Sequence, residues 1–295
     1  MDADLEVGWE LAVARRLRHV RRSVYDFREE AGWVYRVALV FGFAAFTGIC
    51  AQISFPLPFT PVPVTAQVFA VLLAGSVLGR WLGPASQAIY LGLGALGVPW
   101  FAPSAGAPWF SLGGWAALVG VTGGYLVGFL LASAAVGWTL DRGLQRRTFS
   151  GNLLVLLLGV GIIYLAGAVQ FAAVTGSGLT TTLLYGVVPF VPGDMLKAVV
   201  AASVLVVTLP SSGRSGEAEA EPSRLAGQDY AAVVGVVAVT WSIAGVIWGS
   251  PGVPRDLVAY YTLAAGVCTM AAVSALALRR ALARSAHTFG RLAAS

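Results

Sequence analysis

Hydrophobic positions fall along this chain in long, nearly unbroken runs at about 34–53, 64–79, 82–98, 113–139, 151–175 and 191–209, then at 229–249 and 256–278. Runs of about 20 residues match the length a helix needs to cross roughly 30 Å of hydrocarbon. Because they are continuous rather than alternating, a transmembrane β-barrel is excluded. The pattern predicts an all-α membrane protein with eight apolar segments, drawn as six plus two. A Ser/Gly/Glu/Arg-rich stretch at 211–228 separates the two groups and has the composition of a flexible linker. Gly249-Ser250-Pro251-Gly252 is the turn between the last two segments. Residues 1–33 interleave Leu11, Val13, Leu17, Val20 and Val24 with Arg15, Arg16, Arg18, Arg21 and Arg22, which predicts an amphipathic helix lying on an anionic membrane face. Acidic residues precede those arginines and no short apolar core follows, so the segment does not read as a signal peptide. The expected organisation is therefore 1–33 amphipathic, 34–210 a six-helix domain, 211–228 linker, 229–280 two further helices and 281–295 a basic tail.

Composition agrees: 57% of residues are hydrophobic and only 11% are charged, against roughly 25% charged in soluble domains. Charge then sets the orientation. Arginines occupy the N-terminal stretch with Arg28 and Arg36, then Arg80, Arg142, Arg146, Arg147, Arg214 and Arg224, and the C-terminal Arg279, Arg280, Arg284 and Arg291. These are alternate loops, and the opposite set (54–63, 99–112, 176–190 and 250–255) holds Arg255 alone. By the positive-inside rule both termini are expected in the cytoplasm of a cell-membrane protein. The net charge of +5 is explained by topology and calls for no nucleic-acid partner. Cys50 and Cys268 lie in apolar runs and read as small buried hydrophobes. His19 and His287 lie among arginines, so no metal site or cofactor is expected.

Against that background Lys197, the only lysine in the chain, stands three residues after Asp194 in Pro192-Gly193-Asp194-Met195-Leu196-Lys197. Ionisable residues inside membrane segments are costly and read as functional by default. The plainer alternative is a helix start, with Pro192 in the first turn, Asp194 complementing the dipole and an i,i+3 pair. That explains Asp194 better than it explains Lys197, one turn deeper. The loop 54–63 carries Pro56, Pro58, Pro61 and Pro63, which predicts a stiff extended connection. Non-helical backbone near membrane depth is tolerated where it is buried in protein or lines a cavity. Thr65 and Gln67 follow, either as cap and first-turn residues or as polar lining. Trp100, Phe101, Trp109 and Phe110 in the loop 99–112 read as an aromatic belt or as a lid. Tyr125 adds a phenol after Gly123-Gly124. The sole lysine lies outside any phosphate-binding Gly-x-x-x-x-Gly-Lys pattern, so the chain has no ATP site of that kind.

These residues resemble a known family. Pro58-Phe59-Thr60-Pro61-Val62-Pro63-Val64-Thr65-Ala66-Gln67, Leu72-Leu73-Ala74-Gly75-Ser76-Val77-Leu78-Gly79, Tyr90 through Pro99, Thr122 through Phe129 and Pro189 through Lys197 look like BioY, the biotin-specific S component of energy-coupling-factor (ECF) transporters. The resemblance covers about 34–210. It implies a six-helix S-component bundle that captures biotin at the outer face and performs no catalysis. It also implies partners: a transmembrane coupling protein and two cytoplasmic ATPase subunits. Carried over residue by residue, Asp194 accepts ureido N–H bonds and Lys197 neutralises it or meets the ureido oxygen or the carboxylate. Thr65, Gln67 and Tyr125 supply neutral hydrogen bonds, and Phe101 an apolar wall. Small residues of the first helix, Ala38-x-x-x-Gly42 and Ala44-x-x-x-Gly48, are candidates for docking the coupling protein, although such spacing is common in membrane helices.

The chain departs from the family in two places. Its loop Phe101–Gly114 is long and Pro/Trp-rich, with Val121 where the family has proline, and residues 211–295 have no counterpart. Three rival readings stay open: an S component for another vitamin, a membrane enzyme with Asp194 as base, and a structural protein in which the pair is only a cap.

Overall fold

The computed structural model describes residues 32–103, 105–142, 148–208, 222–271 and 274. The expected amphipathic segment 1–33 lies almost wholly outside them, as do the first half of the linker and the basic tail. Among the described residues six stretches are long and apolar enough to cross a membrane, which makes this a multi-pass membrane protein.

Helix α1 is Trp33–Gln52. Its buried positions Val40, Ala44, Thr47, Gly48 and Ala51 recur at helical spacing, and Val34, Val37, Phe41 and Ile49 cover the outward face. The proline-rich loop that follows is a β-hairpin, β1 (Ser54–Leu57) and β2 (Thr60–Thr65), pairing Ser54 with Thr65 and Phe55 with Val64. The register slips between Phe55 and Leu57, at Pro56, which has no N–H to give the ladder. The Ala66 N–H closes the base on the Ile53 carbonyl at 3.1 Å.

Helix α2 (Gln67–Leu73) runs into a π-helical turn (Ala74–Leu78), and α3 is Gly79–Ala95. Although Gln67–Ala95 is a single apolar helical stretch, it does not run straight. Gly79 has φ +77 and ψ −167, and a Cβ at Gly83 would lie 2.9 Å from both the Ala74 carbonyl oxygen and the Gly75 Cα. Positions eight or nine apart touch only if the chain folds back at Gly79, in a conformation that favours glycine. The two apolar runs expected at 64–79 and 82–98 are thus two antiparallel arms. The Arg80 N–H, freed at the bend, is taken by Asp141 Oδ2 at 3.0 Å. The arm from Gln67 to Leu78 is about 18 Å long at 1.5 Å per residue, short of a full crossing.

After a short turn α4 (Ala116–Val119), α5 is Gly123–Arg142 and α6 is Phe149–Thr175. The segment expected from 113 therefore becomes a membrane helix only at Gly123. Residues 113–122 form a loop and short turn that protein covers only in part: Gly113 lies against the Val98 carbonyl and Ala117 is in the core, while Trp115 and Val119 are exposed. Helices α5 and α6 form the most intimate pair: a Cβ at Gly124 would meet the Ala166 carbonyl at 2.3 Å and one at Gly128 the Ile163 Cα at 2.9 Å. Close approach at small residues drives helix association in lipid. Then come α7 (Leu179–Gly186), a 3₁₀ turn (Val188–Phe190) and α8 (Val191–Thr208). The stretch 176–190, expected as a loop, is thus largely helical.

Helix α9 (Pro222–Gly249) begins inside the expected linker, and α10 covers 255–271. They form an antiparallel pair joined by indole-to-hydroxyl bonds of 2.9 Å, Trp241 to Thr269 and Trp248 to Thr262.

Candidate functional site

A cavity of about 310 Å³ opens between the hairpin, the loop after α3 and the facing ends of α2, α5, α6 and α8. Asp194 stands in the first turn of α8, where Pro192 presets the helical backbone and the dipole favours a carboxylate. Only 3% of it is exposed. Its Oδ1 accepts from Lys197 Nζ at 2.6 Å and its Oδ2 from the Tyr164 hydroxyl, one helix away, at 2.9 Å. The ammonium stays half-buried at the cavity wall. An ionised carboxylate offers about four lone-pair sites and an ammonium three donors, so both retain unused capacity toward the cavity.

Opposite stands a neutral polar chain. Thr65 Oγ1 donates to Gln67 Oε1 at 3.1 Å and receives the Gln67 backbone N–H at 3.4 Å. Gln67 Nε2 donates to the Tyr90 hydroxyl at 2.7 Å, which donates onward to the Trp100 carbonyl at 3.4 Å. Ala66 is the N-cap residue of α2, without a side-chain cap bond, and Thr65 before it receives the first helical N–H while it lines the cavity.

Phe101 forms the apolar wall. It is 1% exposed, bridges to Leu112 and packs edge-on against Tyr90 with centroids 5.4 Å apart. Gly94 lies beneath the ring, and a Cβ there would come within 2.2 Å of it. Tyr125 closes the floor: its hydroxyl donates to the Gly186 carbonyl and its ring tilts against Phe190 at 6.1 Å. With its proton so engaged, Tyr125 faces the cavity with its ring and an acceptor lone pair. The remaining lining is chiefly Val, Leu, Ile, Phe and Pro.

All six residues singled out in the sequence, Thr65, Gln67, Phe101, Tyr125, Asp194 and Lys197, line this one cavity. The four docking candidates divide. Ala38 and Gly42 face outward with open space beyond, whereas Ala44 is buried and Gly48 lies under Trp100, about 3.2 Å from its ring. Ala44 and Gly48 therefore serve packing within the chain. Trp100 is likewise turned inward, its indole N–H on the Tyr90 carbonyl at 3.0 Å, while Trp109 is 75% exposed.

Three residues escaped the sequence reading. Tyr164 was hidden in the apolar run 151–175, although a phenol at that depth needs a partner for its hydroxyl. Tyr90 was hidden in the same way. Gln52, at the end of α1, is the third: its Nε2 donates to the carbonyls of Gly48, Trp100 and Phe101 at 3.0, 3.1 and 3.3 Å, and its Oε1 accepts the Phe110 N–H at 2.7 Å. Among the described residues Phe110 is the one non-glycine residue with positive φ, +53, so Gln52 holds the loop at a strained residue.

Comparison with known proteins places these features. The profile of the BioY family matches residues 21–214. A probable biotin transporter BioY of Pyrococcus horikoshii is 42% identical over 168 residues, covering 57% of this chain and 92% of that protein. One from Methanothermobacter thermautotrophicus is 39% identical over 145 residues, covering 47% and 88%. The biotin transporter BioY of Thermotoga maritima is 38% identical over 162 residues, covering 55% and 88%. The crystal structure of the S-component for biotin from an ECF-type ABC transporter superposes with a TM-score of 0.53 at 27% identity, covering 58% of this chain and 89% of that one. The match spans the helices that build the cavity, and on it the chain belongs to the BioY family.

Proposed function

We propose that this chain is the substrate-capturing S component of an ECF-type biotin transporter. The observation that carries the reading is the buried Asp194–Lys197 pair set in the wall of an otherwise apolar cavity, in a chain whose relatives are named biotin transporters. Biotin combines a ureido ring, with two N–H donors and a carbonyl acceptor, with an apolar bicycle and chain. Asp194 accepts ureido N–H bonds with the lone pairs that Lys197 and Tyr164 leave free, and Lys197 turns its remaining protons to a ligand oxygen. The apolar lining takes the bicycle, and Phe101 covers it. A cavity of about 310 Å³ falls at the small end of the usual range for ligand sites, roughly 300–1,000 Å³, and a few polar anchors in an apolar pocket are their common design.

The chain binds and delivers; it does not catalyse. ATP hydrolysis resides on two cytoplasmic subunits joined through a transmembrane coupling protein, with the outward Ala38/Gly42 face of α1 as the docking candidate. The protein lies in the cell membrane with both termini in the cytoplasm and the cavity open to the outside.

Calorimetric titration of purified protein, stripped of carried-over ligand, with biotin tests the reading. Saturable binding in the nanomolar range supports it. A folded protein that binds no biotin overturns it and returns the site to the other-vitamin or structural alternatives.

A further inference from the structure

The cavity is built before the chain reaches residue 209, yet the helices added after it are seated on the cavity's rim. The Tyr260 hydroxyl of α10 donates to the Pro189 carbonyl at 3.1 Å, and its ring lies against Phe59, with centroids 5.8 Å apart. Further along the same helix the Cys268 thiol donates to the Pro192 carbonyl. Val188 packs into the small core that α9 and α10 form around Tyr261. Val233 and Val236 of α9 pack in the main core, and the contacts just named fall on two short segments. One is the hairpin tip, where Phe59 adjoins Thr60, a lining residue. The other is the 3₁₀ turn and start of α8, where Pro189 adjoins the lining residue Phe190, and Pro192 lies two residues before Asp194. Within the six-helix body the hairpin tip is tied nearby by the Thr60 hydroxyl, which donates to the Tyr185 carbonyl of α7 at 2.8 Å.

We infer that α9 and α10 are a strut for the binding site, in which Tyr260 is a positioning residue that ties the hairpin tip to the 3₁₀ turn preceding Asp194. One side chain spans both segments, the ring on one and the hydroxyl on the other, so their separation is fixed from outside the cavity. Holding these two margins together slows the departure of a ligand, so the strut acts on dissociation more than on association. The family match ends at residue 214 and the related S-component covers 58% of this chain, so the device belongs to the added part of this protein.

The inference rests on the proposed biotin site for its kinetic readout, and a second readout is independent of it. The full chain is compared with Tyr260→Ala, Tyr260→Phe and, as a control within the added pair, Trp248→Phe. Release of labelled biotin into excess unlabelled biotin gives the dissociation rate, and amide exchange of the ligand-free proteins is followed over residues 57–61 and 186–192. The strut predicts about tenfold faster release for Tyr260→Ala, a smaller effect for Tyr260→Phe, which keeps the ring on Phe59, and none for Trp248→Phe. Exchange should quicken in both rim segments of Tyr260→Ala at unchanged exchange in α5 and α6. Unchanged release and exchange in Tyr260→Ala overturn the strut. If the wild-type chain binds no biotin, the proposed function fails, and the exchange comparison alone decides for or against the strut.

Discussion

On one side of the cavity Asp194, Lys197 and Tyr164 stand on helices; on the other, Phe101 is presented by a loop with no regular pairing beyond its bridge to Leu112. The charged side is held by contacts within one helical turn and one neighbouring helix, so its geometry follows from backbones that cannot move far. The apolar side is held by Gln52, which binds the Trp100 and Phe101 carbonyls on one side of the loop and the Phe110 N–H on the other. Recognition is therefore preorganised on the helices, and closure is left to a loop tied down by a few side-chain bonds, from Gln52 and between Tyr90 and Trp100. Sites carried on rigid elements are the more accurately placed, whereas loops are where a protein varies and opens.

The largest effect should come from the helical side. Asp194→Asn removes the negative charge and one of the two acceptor oxygens and leaves Lys197 without its counter-ion in a half-buried site. Charge-assisted bonds contribute about 1.5–3 kcal/mol each, so biotin affinity should fall on the order of 100-fold, read by calorimetry. Adding Lys197→Met to that variant should recover thermal stability, because the unpaired charge is gone, without recovering binding. If the double variant binds, the pair is a cap and nothing more.

Next comes the loop anchor. Gln52→Leu keeps the bulk and removes every bond to the loop; about tenfold weaker binding is expected, roughly 1.4 kcal/mol. Amide exchange should quicken across 99–112 while the environment of Asp194 stays as it is. Loss of protection at α8 instead would mean that the two sides are one unit. Gly94→Ala drives a methyl into the Phe101 ring and should cost about fivefold in affinity, an overpacking effect of roughly 1 kcal/mol. A crystal structure of that variant would show the ring displaced. The smallest change is Tyr164→Phe, which deletes a bond within the protein that orients Asp194 but does not touch the ligand; about threefold weaker binding is expected, roughly 0.7 kcal/mol.

The same contrast separates what could be read in the sequence from what could not. Membrane helices were legible because uncharged runs of sufficient length have few other uses, and the two arms meeting at Gly79 could be told apart because Arg80 interrupts the run. Asp194 and Lys197 were legible because charge in such a run is conspicuous. The hairpin was legible as extended backbone, since four prolines forbid a helix, but its pairing depended on partners that proline content does not name. The true start of α5 at Gly123 was missed because an apolar loop and a lipid-covered helix have the same composition. Helix α7 went unforeseen in a stretch, Leu-Thr-Thr-Thr-Leu-Leu-Tyr, without a strong signal for helix or loop. Gln52, Tyr90 and Tyr164 act through partners 30 or more residues away, or through a neighbouring loop, as Tyr90 does with Gln67 and Trp100. No local pattern marks such pairs.

The central claim is that Asp194 accepts a hydrogen bond from a ureido N–H of biotin. A thermodynamic cycle measures it most directly: calorimetric affinities of wild type and Asp194→Asn for biotin and for biotin methylated on one ureido nitrogen. The account predicts that, for one of the two nitrogens, methylation weakens binding to the wild type about 30-fold more than to the variant, a coupling of about 2 kcal/mol. Additive losses at both nitrogens would contradict it and remove Asp194 from the ligand's contacts.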